Sequence, residues 1–448
     1  MRVQPVFFFG VQWGSPGKKG GQRHWTIDVK ARAAELRQSL PEHEVPDPLV
    51  YDSAEETATL SADVAEADLV VVGQSELLAI PWAAAALVKL DKPIVLYCRD
   101  GYLSAPLTDL AGTLSADGAD VMMAIDMHDV RERARVVAAE KALREGTLLV
   151  LGGGFPSCSQ AANPSSPELV TERFGTRVVV RPLEDFFDAL ARRERSEGEA
   201  LAAEWEATFA EVTPAARKTL VEAALTHLVV ADFVQEVQAT GVAVDCRAMD
   251  EVSMERFGVF YSPCVSLTLL RDRGIPAACE ADVCCALAMM MLGELSHRGT
   301  FMGNLSTANP DEGWVHIAHC AATTRMDGLD APAAPLTLED YHGRENGVAT
   351  YAPFREGEQV TVVRVGKNLR RASLLAGPIV DADLERKLPG CIDLMRVAVS
   401  DVRDYIGRCL MGDHHAVVYG DLRRPVRELA ARFGIELLEP APAEGPPA

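Results

Sequence analysis

Four short apolar runs recur through the first third of the chain, with Ala- and Leu-rich stretches between and after them. The runs are Val3–Phe9, Leu69–Gly73, Pro93–Tyr97 and Val121–Ile125, and helical spacing fills 54–67, 79–90, 102–117 and 128–145. A strand that is apolar on both faces needs cover on both, which is how a parallel strand between two helix layers reads. Strand–helix alternation of this kind predicts a mostly parallel sheet with helices on each side.

The pattern restarts at Thr147–Leu151, which runs into Gly152, Gly153 and Gly154. Three glycines at a strand-to-helix turn suit close approach of an anion to backbone N–H groups. The sequence has neither G-x-G-x-x-G nor a P-loop lysine, so a tight turn beside a site is the favoured reading. Arg177–Val180, one long polar helix around 184–212, a more apolar helix around 214–239 and the strand Val242–Cys246 continue the unit. After residue 330 the texture changes. Pro332 and Pro335 mark a linker, and short alternating runs at Val360–Val365, Ser373–Gly377, Leu394–Val399 and Ala416–Tyr419 predict a small β-barrel or sandwich. The expected architecture is α/β: two parallel-sheet α/β domains, residues 1–145 and 146–330, followed by a C-terminal β-barrel-like domain, 331–440. Residues 441–448 form a Pro/Ala-rich tail expected to be disordered.

Bulk properties narrow the function. A net charge of −21 argues against nucleic acid or an anionic membrane as partner, since both select basic surface. No stretch reaches the roughly 18–20 apolar residues of a membrane span. The N-terminus has no basic region ahead of its apolar run, unlike a signal peptide. Ten cysteines without a C-x-x-C pair speak against a zinc knuckle and suit a reducing compartment. These features together predict a cytoplasmic protein.

Chemistry concentrates between Pro263 and Arg325 and again at Asp413–His415. Glu280 opens an apolar helix at a strand-to-helix junction, where α/β folds place their sites; a helix-start carboxylate favoured by the dipole is the plainer alternative. His319 ends an apolar strand-like run, and strand alternation lets at most one of His414 and His415 face a given site. Glu280, an oxygen donor near Asn304, His319 and one of that histidine pair would suit a divalent metal.

These residues carry a resemblance. Pro263-Cys264, Gly274-Ile275-Pro276-Ala277-Ala278-Cys279-Glu280-Ala281-Asp282-Val283, Phe301-Met302-Gly303-Asn304, His319-Cys320 and His414-His415-Ala416-Val417-Val418-Tyr419-Gly420-Asp421 resemble the L-fucose/L-arabinose isomerase superfamily. The resemblance implies a sugar (aldose–ketose) isomerase working through an enediol on a small polyol or sugar-derived substrate. It implies a divalent metal, with Mn²⁺ the first expectation, held by Glu280 and His415. His414 is the fallback ligand, His319 the match to the arabinose branch, and Asn304 stands where an aspartate is expected. It also implies a homo-oligomer whose site is shared between subunits, so that Gln12, Arg23 and His24 would contact substrate, with Cys264 and His414 as further substrate-binding candidates. Arg99-Asp100-Gly101 and Asp126–His128, each after a strand, are weaker candidates.

Asn304 can offer a carbonyl oxygen but cannot accept a proton. Three explanations stand open. The acidic partner is Asp311 or Asp282 instead; a metal-bound water replaces it; or the reaction is a different one, an enolate-type C–C or C–heteroatom cleavage. A non-catalytic sugar-binding homologue is the remaining alternative.

Overall fold

The computed structural model describes residues 1–9, 28–73, 79–98, 105–153, 163–382 and 391–442. The chain divides into two compact units, Met1–Ala138 and Ala139–Ala448. The first is built on five parallel strands: β1 (Val3–Phe8), β2 (Leu49–Tyr51), β3 (Leu69–Val72), β4 (Ile94–Tyr97) and β5 (Val121–Ala124). Their order is β2-β1-β3-β4-β5, a doubly wound arrangement. The two-sided apolar pattern has its expected cause. Val70 and Val72 enter one core with Phe8 and Leu96, while Leu69 and Val71 enter the other with Val3 and Val95. Gln12, Arg23, His24 and Arg99-Asp100-Gly101 lie outside the described residues.

The second unit opens with four parallel strands, β6 (Thr147–Leu151), β7 (Arg177–Arg181), β9 (Gly241–Val244) and β10 (Ala277–Ala278), in the order β10-β9-β6-β7. Between them lies β8 (Glu211–Val212), which pairs with β13 (Thr337–Asp340); β13 pairs in turn with β14 (Val348–Tyr351). The single helix expected at 184–212 is two, Leu183–Ala191 and Arg195–Thr208. Glu194 starts the second, its side chain accepting from the backbone of Glu197 while Glu197 accepts from the Glu194 N–H. That reciprocal capping satisfies N–H groups a new helix start leaves orphaned.

Six antiparallel strands then close into a barrel: β11 (Phe301–Asn309), β12 (Trp314–His319), β15 (Gln359–Val365), β16 (Arg371–Asp381), β17 (Asp393–Ala398) and β18 (His414–Tyr419). The order around it is β15-β18-β11-β12-β17-β16, and β16 pairs back onto β15. A final strand, β19 (Glu436–Leu438), adds parallel to β16. The fold is therefore α/β parallel sheets with a C-terminal barrel. Two barrel strands, β11 and β12, come from sequence before residue 330, so the Pro-rich stretch at 332–335 interrupts the barrel's strand sequence instead of preceding it. Val315, Ile317, Val360, Val362, Met395, Val397, Val417 and Tyr419 fill the barrel core.

Candidate metal centre

The C-terminal ends of a parallel sheet are where an open α/β fold binds its ligands. Three of the four strands in the second sheet end in residues that shape this edge, two of them in polar side chains. Gly152 follows β6, Asp245 follows β9, and Cys279-Glu280 follow β10. Gly152 has φ +119°, and a Cβ on it would stand 2.4 Å from the Asp245 Cβ. Only glycine admits that approach, which accounts for Gly152 as a packing turn; Gly154 lies outside the described residues.

Glu280 is presented by an unusual turn. Glu280 and Ala281 both adopt left-handed backbone, φ +54° and +51°, at a cost of about 1–2 kcal/mol each. Asn163 holds them there: its Nδ2 donates to the Ala281 carbonyl (2.7 Å) and its Oδ1 accepts from the Val283 N–H (3.0 Å). The next helix, Val283–Ser296, is capped by Asp282, whose Oδ1 accepts from the Cys285 N–H. Glu280 thus stands ahead of the helix start, and Asp282 performs the capping. Asn163→Ala strands two buried backbone groups and should lower stability by about 1–3 kcal/mol. Denaturant titration checks it, and an unchanged midpoint would show that the turn holds without Asn163.

Asp282 has a second task. Its Oδ2 accepts from the Arg364 guanidinium (2.5 Å) and from His414 Nδ1 (2.9 Å), and all three side chains are fully buried. Burial alone would raise the Asp282 pKa, but Arg364 and His414 outweigh it and hold the carboxyl well below the usual range. Arg364 is likewise held charged by Asp282 against its own burial. A carboxylate at Nδ1 selects the tautomer whose Nε2 carries the lone pair. His414 Nε2 is buried with no hydrogen-bond partner among the described residues, and Glu280 Oε1 lies 3.9 Å from it.

His319 completes the group. Its ring meets His414 edge-on at 5.5 Å between centroids. Burial, then His414 and Arg271, push its pKa well below the ordinary histidine value, leaving the neutral imidazole. Ligand atoms of Glu280, His319 and His414 all lie within 4.8 Å of one another. Arg271 sets the spacing behind them, donating to the carbonyls of Ala277 (2.8 Å) and Ala321 (2.5 Å) and so tying β10 to the end of β12. Two imidazoles, one carboxylate and an orphaned Nε2 fit a divalent cation. On the outer side Arg247 grips the other Glu280 oxygen at 3.0 Å.

The remaining sequence candidates fall in different places. His415, the first expectation for the ligand, does not join the group. It shares its strand face with Val417 and Tyr419, and its ring stands 6.2 Å from that of Tyr405 in the barrel core. Its Nδ1 donates to the Asp413 carbonyl at 2.8 Å. The fallback, His414, points at Glu280 because adjacent strand residues face opposite ways. Asn304 lies in register with His414 on β18 and Ala318 on β12, and its amide donates to Asp413 Oδ2 (2.8 Å). Asp311 is exposed on the β11–β12 turn, with Arg403 3.5 Å away. Cys264 is buried, its Sγ 3.9 Å from that of Cys320, which in turn lies 3.7 Å from His319 Nδ1. Asp126 and Asp129 serve the local turn, accepting from the Asp129 and Ile125 N–H groups. The sequence reading missed Asn163, Arg271 and Arg364, and took Asp282 only as a substitute base.

No family model matches the chain. Two curated proteins are similar to it, both named sulfoquinovose isomerase. That of Alkalicoccus urumqiensis is 25% identical over 179 residues, covering 39% of this chain and 40% of the relative. That of Clostridium sp. (strain MSTE9) is 27% identical over 181 residues, covering 39% of each. The match thus spans about two-fifths of each relative's length. No described helix is long and apolar enough to cross a membrane. The similarities support a relationship to sugar isomerases.

Proposed function

We propose that the protein is a metal-dependent aldose–ketose isomerase acting on a small sugar or sugar-derived substrate. The observation that carries the reading is the convergence of Glu280, His319 and His414, from three distant chain segments, with Asp282 aiming His414 from behind. A divalent ion held by these three residues, Mn²⁺ in the first instance, would polarise the carbonyl and hydroxyl oxygens of the sugar.

Isomerisation moves a proton between adjacent carbons, and the chain must supply the acceptor. In this reading Glu280 is that acceptor, with Oε1 toward His414 Nε2 and Oε2 ion-paired with Arg247 at 3.0 Å. Asn304 cannot take a proton, but its amide holds the Asp413 carboxylate one residue from His414. In this reading Asp413 is the second proton carrier, exchanging with the substrate hydroxyl, and Asn304 positions it. The relatives' name makes sulfoquinovose the first substrate to offer.

The test is proton exchange. Incubated with Mn²⁺ and sulfoquinovose in D₂O, the protein should form the ketose and incorporate solvent deuterium at the carbon next to the carbonyl. Glu280→Gln and Asp413→Asn should each slow that exchange by about 10²–10⁴-fold. Fragmentation of the substrate without ketose would select the cleavage alternative. A metal-loaded protein that binds sugars but exchanges no proton would leave a non-catalytic binder.

A further inference from the structure

We infer a second metal site beside the first, built from Cys320, His342 and Cys391 and suited to a thiophilic divalent ion such as Zn²⁺. The ligand atoms of these three residues lie within 4.8 Å of one another. They arrive from three segments: the residue after β12, the β13–β14 connection, and the approach to β17. Cys391 hydrogen-bonds both Cys320 and His342, and further contacts outside the group help to place them. Cys320 follows His319, whose carbonyl accepts from the Ile392 N–H (3.1 Å), and that bond sets Cys391 alongside. His342 has left-handed backbone, φ +58°, and its ring stacks on Tyr341 at 4.0 Å between centroids and 12° between planes.

Donor chemistry separates this group from the Glu280 centre. Two sulfurs and an imidazole select zinc-like ions, whereas a carboxylate with two imidazoles also accommodates harder ones. Zinc bound tetrahedrally at about 2.3 Å to sulfur needs ligand atoms roughly 3.8 Å apart, within the spread these side chains already have. Cys264 Sγ, 3.9 Å from Cys320 Sγ, is in reach as a fourth ligand. Burial runs from Cys320 inside, through Cys391 half-buried, to His342 exposed, which leaves an entry path for the ion. Bound there, it would staple the end of β12, and with it His319, to the β13–β14 connection and to β17.

Cobalt(II) is the probe, because thiolate ligation gives an intense sulfur-to-cobalt charge-transfer band that a carboxylate–histidine centre lacks. Reduced full-length protein titrated with Co²⁺ should show the band, and Zn²⁺ should displace it. Cys391→Ser and His342→Ala, both toward the surface, should each weaken Zn²⁺ binding beyond the roughly 10–100-fold lost with an outer-sphere partner. Glu280→Gln should keep the band while losing the Mn²⁺ site, so the two centres fail separately. No charge-transfer band in protein whose thiols titrate as free would overturn the site. So would a band unchanged in both Cys391→Ser and His342→Ala.

Discussion

His414→Ala should abolish retention of a divalent ion at the Glu280 centre, while the neighbouring His415→Ala keeps the ion and loses stability instead. His414 Nε2 is the buried nitrogen aimed at Glu280, with Nδ1 already engaged by Asp282. His415 faces the barrel core beside Tyr405, where burial, then Arg364, lowers its pKa from 6.5 to about 4. Truncating it opens a cavity and should cost about 2–5 kcal/mol, as core truncations do. Metal content after gel filtration, paired with a denaturant midpoint, separates the two effects. Equal metal loss in both variants would mean that the histidine pair acts through barrel integrity, and His414 would lose its place as a ligand.

The second large effect belongs to Asp282 and Arg364. Arg364→Met leaves the buried Asp282 Oδ2 with His414 alone, while Oδ1 keeps the Cys285 N–H, and losing one member of a buried pair costs about 3–5 kcal/mol. Metal affinity should fall with it, by roughly 10–100-fold, because Asp282 then no longer orients His414 firmly. Acid should act on the same region. Asp282 is depressed in the folded state, so its contribution is complete above about pH 4 and disappears as pH falls through the folded value. His227 and His415, each lowered by burial to about 4, behave differently. Below about pH 6.5 the unfolded chain takes up their protons first, so stability declines from there down to about pH 4. The slope approaches roughly 1.4 kcal/mol per pH unit for each such histidine. A midpoint flat between pH 7 and 5 would contradict this account, as would an Arg364→Met variant as stable as the parent.

Much of the architecture could be read locally. Two-sided apolar runs identify buried parallel strands because both faces are covered, and Val70 and Val71 do enter separate cores. Glu280 and His319 could be singled out because each ends a strand, where alternation and junction position constrain direction. The choice between His414 and His415 could not be made this way. Strand β18 is apolar on both faces: Val417 and Tyr419 fill the barrel, while the helix Val283–Ser296 packs against the strand. Nothing in such a run says which face looks inward. Asp282 and Arg364 are 82 residues apart, and no local pattern pairs them. The helix break at Glu194 was hidden because Arg193 and Glu194 are good helix formers and the cap lacks the usual Ser or Thr.

Barrel closure also carries a consequence for the order of assembly. Strand β18 bridges β11 and β15 and brings His414 to Asp282 across 132 residues of sequence. Until it docks, β11 and β15 each present an unpaired edge, the kind of surface that recruits strands from other chains. Contacts of such long sequence separation form slowly. A chain emerging from the ribosome would hold Glu280 and His319 well before it holds the residue that completes them. On the proposed metal-dependent reading, retention of a divalent ion would report that the last barrel strand has docked, and a polypeptide cut short of β18 would be both metal-free and prone to aggregate.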